Sequence, residues 1–397
     1  MEKLCERIRA LVLEDMDFSM ELSDEQLQES IARKLAQQKE VEQLSIGERV
    51  NVEQRVFNSL RKLDVLQELL EDDEITEIMV NGPENIFYEK KGIFYRHPYH
   101  FTSEEKLQDV IQQIVGKHNR VVNLTSPIVD TRLEDGSRVN IVLTPIAIDG
   151  SAISIRKFGK KPIDMQALLD WETLNEEVAQ FLKHLVVARY NIFISGGTSS
   201  GKTTFLNALS AYIPVNERVI TIEDSAELLL QQTPNLVRLE TRNSNQEGVK
   251  SISARELIHT ALRMRPDRII VGECRGEETL DMLQAMNTGH DGSISTGHGN
   301  STNDMLSRLE MMVLMGTELP LSAIRQQIAM GIDILIHLER GADKKRRVVE
   351  ITELVGIEKG EIQINPLYRY ADGLKKVGSL KQMQKWRNVE GEVSDGI

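Results

Sequence analysis

The sequence predicts an α/β protein: a largely parallel sheet with helices on its faces, preceded by a smaller α+β part and a helical N-terminal segment. Three observations carry this. From about residue 175 onward, short apolar runs alternate with helical patterns, the order that a parallel sheet with crossover helices needs. Between about 71 and 157 the chain is β-rich around one helical stretch. A glycine-rich loop, 196–204, follows the apolar run Ile192-Phe193-Ile194 and precedes a helical pattern from Phe205 to Tyr212.

That loop reads Gly196, Gly197, Thr198, Ser199, Ser200, Gly201, Lys202, Thr203, Thr204 and fits G-x-x-x-x-G-K-[ST]. Gly196 and Gly201 let the backbone approach an oxygen-rich ligand with no side chain in the way. The loop amides and the helix N-terminus then face phosphates. Lys202 is placed to reach the β- and γ-phosphates, and the Thr203 hydroxyl to bind Mg²⁺. The bland alternative is a glycine-rich turn at a helix start. Strand, loop and helix in this order favour a nucleoside-triphosphate cradle.

The 397 residues suffice for two to three domains with their own cores. Composition shifts divide them into a helical segment (1–70), an α+β domain (71–160), an α/β domain (161–372) and a tail (373–397). In the first segment Leu4, Ile8, Leu11 and Leu13, then Ile31, Leu35, Val50, Val56 and Leu60, recur with helical spacing. Such a segment is either a small bundle with solvated faces or an adaptor for a partner. Strands are expected at 75–80 and 86–90 around the turn Asn81-Gly82-Pro83, and Ser103 begins a helix to about 117. Three β segments follow at 128–133, 137–143 and 152–157, with Asp135-Gly136 as a hairpin signal. Lys160-Lys161-Pro162 begins a connector.

In the α/β part, helices are expected at 175–189, 202–212, 253–264, 277–286, 302–315 and 321–330. Strands are expected at 192–195, 218–222, 237–239, 268–271, 293–296, 332–338 and 347–354. In the tail, Leu374, Val377, Leu380, Met383 and Trp386 recur every third residue among lysines. That pattern suits either a packed or frayed terminal element or a basic face on an anionic membrane.

Composition excludes some classes. No run of about 18 apolar residues exists to span a membrane. The N-terminus lacks the pattern of a secretory signal. Cys5 and Cys274 give neither a disulfide framework nor a metal cluster, and point to a reducing, cytosolic setting. A net charge of −13 counts against DNA or RNA as the main partner.

Phosphoryl transfer needs a metal, a residue to position water, positive charge for the transition state and a γ-phosphate sensor. Arg268-Ile269-Ile270-Val271-Gly272-Glu273 is a buried-type strand ending in a carboxylate, with Gly272 where an aspartate is usual. Glu273 there can orient water or hold Mg²⁺ through water. Val219 to Asp224 is a second strand ending in acids, making Glu223 a candidate general base or water orienter. His290 and His298 lie in glycine-rich turns about one strand and suggest polar sensing of a phosphate; their spacing matches no zinc pattern. Arg132, Arg138 and Arg156 lie on β segments of the preceding domain; they are either solvated or reach a nucleotide in the same or an adjacent subunit.

Over about residues 70–365 the chain resembles the type II/type IV secretion ATPase superfamily, and within it the CpaF/TadA-type tight-adherence (Flp) pilus assembly ATPases. The resemblance rests on Ile78-Met79-Val80-Asn81-Gly82-Pro83, Arg132 to Arg138 and the phosphate loop. It rests also on Ile222-Glu223-Asp224 (an Asp box), Arg263 to Glu273 (a Walker B region) and Met282 to His298 (a His box). His298 is followed by Gly299 where Ala is more usual, and Glu273 by Cys274 where Val is usual. No Cys₄ zinc module is present.

The resemblance implies a RecA-like ATPase domain behind the α+β domain, assembled as a homo-hexamer, with ATP and Mg²⁺ as cofactors. It implies an inner-membrane platform protein as partner, and a cytoplasmic chain associated with the inner face of the cell membrane. Lys202 would bind phosphate, Glu273 and Glu223 would support hydrolysis, His298 would sense the γ-phosphate, and Arg132, Arg138 and Arg156 would contact nucleotide phosphates. The expected function is a motor for type IV (Flp/Tad) pilus assembly or type II/IV secretion. The alternatives are a conjugation or effector-secretion ATPase of the same superfamily, a RecA-like nucleic-acid motor, and a nucleotide-gated scaffold without turnover.

Overall fold

The computed structural model describes residues 1–16, 22–117, 121–159, 163–242 and 250–388. The Lys160-Lys161-Pro162 connector and the end of the tail, 389–397, lie outside the described residues. The chain divides into two compact units, Met1–Gly159 and Lys160–Ile397.

The first unit opens with helices α1 (Glu2–Asp15), α2 (Asp24–Ala36) and α3 (Ile46–Arg61), followed by the short α4 (Leu66–Glu71). Ser23 and Ser45 start α2 and α3, each in a capping box with Gln26 and Glu48 that satisfies first-turn amides. The buried face of α1 is Leu4, Ile8 and Val12, strict four-residue steps, so Leu11 and Leu13 sit to its sides. Val50 is exposed and Val52 takes the core position instead.

The α+β part holds an antiparallel sheet of β1 (Ile75–Asn81), β2 (Ile86–Lys90), β3 (Ile93–Arg96), β4 (Ile128–Arg132), β5 (Arg138–Val142) and β6 (Ala152–Arg156). Its order is β3-β2-β1-β6-β5-β4. Helix α5 (Glu104–Gly116), capped by Ser103, lays Leu107, Val110, Ile111 and Ile114 into the core beneath it.

The second unit contains α6 (Met165–Asp170), α7 (Glu176–Val187), β7 (Ile192–Gly196), α8 (Lys202–Ser210), β8 (Arg218–Glu223) and β9 (Asn235–Glu240). It continues with α9 (Ala254–Ala261), β10 (Arg268–Val271), α10 (Glu278–Asn287), β11 (Ile294–His298), α11 (Thr302–Gly316) and α12 (Leu321–Gly331). It ends with β12 (Ile334–Arg340), β13 (Arg346–Glu358), β14 (Glu361–Tyr370), β15 (Leu374–Lys376) and the single turn α13 (Gln384–Arg387).

The nine strands form one sheet, β15-β14-β13-β12-β7-β11-β10-β8-β9. The six from β12 to β9 are parallel, and β13 to β15 extend the sheet antiparallel. Helices cover both faces, so the central strands are apolar on both sides. In β7, Ile192 and Ile194 join the core with α6 to α8, and Phe193 joins the opposite core with α9 to α12.

Strand β15 and the segment behind it are packed elements of this unit. Leu374 belongs to the core, Trp386 stacks on His184 at 3.6 Å, and Tyr190 donates to the Gln382 carbonyl at 2.7 Å. Lys385 bridges Asp291 and Asp333 at 2.6 and 2.7 Å. Of the residues on the three-residue spacing, Leu374 lies in the core and Leu380 and Trp386 pack against it, whereas Val377 is exposed.

Candidate active site

Parallel pairing brings the carboxyl ends of β7, β11, β10 and β8 to one sheet edge. Gly196 pairs with His298 on one side and Leu338 on the other, while Val271 pairs with Ile222 and Ser295. Residues just past these pairs therefore gather beside the phosphate loop, although more than a hundred positions separate some of them in sequence.

The loop needs its glycines. A Cβ on Gly196 would lie 2.5 Å from both the Leu338 carbonyl oxygen and Ser200 Oγ. Gly201 has φ +95°, in the left-handed region. Gly201 also offers no side-chain cap to α8, unlike Asn175 at α7 and Ser253 at α9, so the first-turn amides of α8 are left for an anion. Thr198 and Ser199 are exposed, Gly197, Thr203 and Thr204 half-buried, and Ser200 buried with its Oγ in no hydrogen bond. A glycine cradle that a Cβ would fill, uncapped amides and an orphaned hydroxyl together fit a phosphate chain with its magnesium ion.

Lys202 is buried and donates to the carbonyls of Gly196 and Gly197 at 3.1 and 3.0 Å. It also lies 3.3 Å from His298 Nδ1. A donor on Nδ1 assigns the imidazole proton to Nε2, which meets Glu273 Oε1 at 2.9 Å. Burial and the Lys202 and Arg275 charges hold the imidazole below its usual pKa, against the pull of Glu273, in keeping with that neutral tautomer. The other carboxylate oxygen, Glu273 Oε2, receives Arg275 Nε at 2.6 Å and a terminal guanidinium nitrogen at 2.5 Å. Arg275 continues to Asp224 at 3.1 Å. Five charged or titratable groups, Lys202, His298, Glu273, Arg275 and Asp224, thus form one chain along the edge.

Glu223 sits behind this chain. Its Oε1 accepts the backbone N–H groups of Glu227 and Leu228, both at 2.9 Å, and so ties down the loop after β8. Its Oε2 is buried without a hydrogen-bond partner among the described residues. Burial raises this carboxyl above its usual pKa, against the two amides. A Cβ at position 272 would lie 2.9 Å from Glu223 Cγ, so the glycine that replaces the usual aspartate makes room for Glu223.

The two family departures also have local reasons. A Cβ on Gly299 would press within 3.2 Å of Met305, and the Cys274 thiol is buried, with its pKa pushed up to about 12 by desolvation.

One expectation is corrected. His290 precedes β11 and His298 ends it, so the two histidines lie at opposite ends of the strand and only His298 meets the phosphate loop. As expected from their positions, Arg132, Arg138 and Arg156 lie on strands of the first unit, where Arg132 pairs with Arg138 and Arg138 with Arg156.

Pattern reading did not single out Arg275 and Arg346, which the structure brings to Glu273 and to the phosphate loop. Arg346 Nε donates to the Ser199 carbonyl at 3.0 Å from the start of β13. The hairpin returning to the phosphate loop could be read in its turn residues, but the contact itself depends on strand register.

Fold and loop define a P-loop protein with a RecA-like ATPase fold. The chain belongs to the type II/IV secretion system protein family, whose sequence profile matches residues 59–365. It is 34% identical over 316 residues to the type IV secretion system protein PtlH of Bordetella pertussis, covering 73% of this chain and 93% of that protein. It is 33% identical over 305 residues to a Mycobacterium tuberculosis (strain H37Rv) protein named for a candidate role in conjugal transfer, covering 75% and 86%. The structure of the ATPase DotB of Legionella pneumophila aligns with a TM-score of 0.52 at 23% identity, covering 74% of this chain and 80% of that one. No described helix is long and apolar enough to cross a membrane.

Proposed function

We propose that the chain is an ATP-hydrolysing motor of the type II/IV secretion and pilus superfamily, working as a homo-hexamer at the inner face of the cell membrane. The observation that carries this is the continuous Lys202–His298–Glu273 contact beside the phosphate loop. Glu273 is the residue that takes the proton of the attacking water. The water oxygen bonds to the γ-phosphorus as the bond to the β–γ bridging oxygen breaks, giving ADP and phosphate. His298 holds one Glu273 oxygen toward the loop and senses the γ-phosphate through the Lys202 side of its ring. Lys202 neutralises charge on the β- and γ-phosphates. Glu223 supports hydrolysis by fixing the loop after β8 and offering its free oxygen to ordered water. The Thr203 hydroxyl, with Glu273 through water, would hold the magnesium ion, which supplies charge neutralisation for the triphosphate. Arg132, Arg138 and Arg156 contact nucleotide phosphates, in the same or an adjacent subunit, and carry hydrolysis into domain movement.

Relatives named for type IV secretion and conjugal transfer support a motor for secretion or conjugation; the partner assigned to it in this reading is an inner-membrane platform protein. The tight-adherence pilus reading rests on the joint motif likeness of residues 78–83, 132–138, 196–204, 222–224, 263–273 and 282–298 and stands second. A deletion strain separates them, by lost substrate transfer in the first case and lost surface filaments in the second.

The direct test of the site is Lys202→Ala in the full chain. Turnover falls by about 100-fold or more, the scale of removing one preorganised donor. Normal ATPase activity in that variant overturns the assignment.

A further inference from the structure

We propose that Arg275 is the positioning residue for Glu273, with Asp224 as its anchor. This rests on the ATP-hydrolysis reading above. Glu273 follows the last residue of β10 by two positions, and its side chain has three rotatable bonds. A misplacement of about 1 Å in such a group can cost about 100-fold in rate. One guanidinium removes that freedom. Its Nε and a terminal nitrogen both hold Glu273 Oε2, at 2.6 and 2.5 Å, while its other terminal nitrogen reaches Asp224 Oδ2 at 3.1 Å. The plane of Arg275 therefore spans carboxylates from the ends of two neighbouring strands, β10 and β8. A lysine ammonium, a single point charge, does not reproduce this fork.

The clamp is itself held at both ends. The backbone N–H groups of Arg275 and Gly276 donate to Glu278 Oε1 at 2.5 and 2.9 Å, which fixes the turn that carries the guanidinium. The Thr241 hydroxyl lies 3.3 Å from Asp224 Oδ1. With Oε2 anchored on this side, Oε1 is the oxygen turned toward His298 and the phosphate loop. Arg275 is more than half exposed, at 58% of its side-chain surface, so its ion pairs add little to stability and their value lies in orientation.

The test is a double-mutant cycle with Arg275→Gln and Asp224→Asn in the full chain, read by steady-state kcat and KM for ATP, binding of a fluorescent ATP analogue, and thermal melting. Arg275→Gln lowers kcat about 10- to 100-fold with KM within about twofold, because the group misplaced acts in the chemical step. Asp224→Asn causes a smaller loss of about threefold to tenfold, the scale of coupling between contacting residues. The double variant is no worse than Arg275→Gln alone, since Asp224 acts through Arg275. Arg275→Lys restores part of the loss at most. The proposal is overturned by an Arg275→Gln kcat within twofold of wild type, by a raised KM at unchanged kcat, or by losses that multiply in the double variant. Asp224→Asn keeps the proposal falsifiable should Arg275→Gln not fold. A wild-type chain without ATP turnover overturns the functional reading and takes this proposal with it; wild-type turnover untouched by Arg275→Gln overturns this proposal alone.

Discussion

Two arginine–glutamate pairs stand at opposite edges of the same sheet. Arg275 clasps Glu273 at the carboxyl ends of the parallel strands, where it is largely exposed. Arg268 opens β10 at the other edge, is fully buried, and clasps Glu217 with two nitrogens at 2.5 and 3.0 Å. Arg268 further donates to the carbonyls of Val186 and Gly292 at 2.8 and 3.3 Å. The rear edge repeats this habit. Buried Asn191 donates to the Met286 and Gly331 carbonyls and accepts from the Gly292 and Ser293 amides. Buried Glu353 accepts the backbone N–H groups of Lys381 and Gln382. Buried Arg268, Asn191 and Glu353 at the rear are each also tied to fixed backbone groups, whereas Arg275 at the front joins Glu273 and Asp224 through side-chain tips alone. The first arrangement holds a fold, and the second can be rearranged by a ligand.

The contrast can be broken by mutation. The largest stability effect is expected from Arg268→Ala. It leaves Glu217 half-satisfied beside the buried strand end, and a denaturant melt should show a loss of about 3 to 5 kcal/mol. Removing Arg275 should cost about 1 kcal/mol or less by the same measurement. Equal losses for the two arginines would erase the distinction between the edges.

An effect between these two is expected at the tail. Lys385→Ala should cost about 1.5 kcal/mol near neutral pH, the value of a charge-assisted contact. Its pH dependence has a definite sign. Burial holds the Asp333 carboxyl above its usual pKa, so the folded protein accepts that proton more readily than the unfolded chain. The charged form therefore costs stability as pH rises through the carboxylate range, and Lys385 offsets this cost. The deficit of Lys385→Ala should shrink as pH falls through that range. A pH-independent deficit in chemical melts would mean that Lys385 acts by packing alone.

Much of the fold was legible because period and punctuation agree. The alternation after residue 175 and the Asp135-Gly136 turn gave the parallel strands and the β4–β5 hairpin. Strands β3, β14 and β15 were not read. The four residues of β3 are all exposed and show no alternation. Leu374 carried a three-residue spacing that mimics a helix, although Leu374–Lys376 pairs as a strand with β14. In the site, the loop was legible from spacing, and Glu273 from its place at a strand end. Arg275 was not, because an arginine two residues past a glutamate becomes informative only once register brings His298 and Asp224 alongside. His290 misled for the complementary reason: glycine context marks a turn but not the end of the strand at which it lies.

The most direct test of the front-edge account is Glu273→Gln, measured by ATP binding and phosphate release in the same preparation. The side chain keeps its shape and loses the base. The account predicts ATP affinity within about threefold of wild type and phosphate release lower by about 100-fold or more. Phosphate release at the wild-type rate would contradict it.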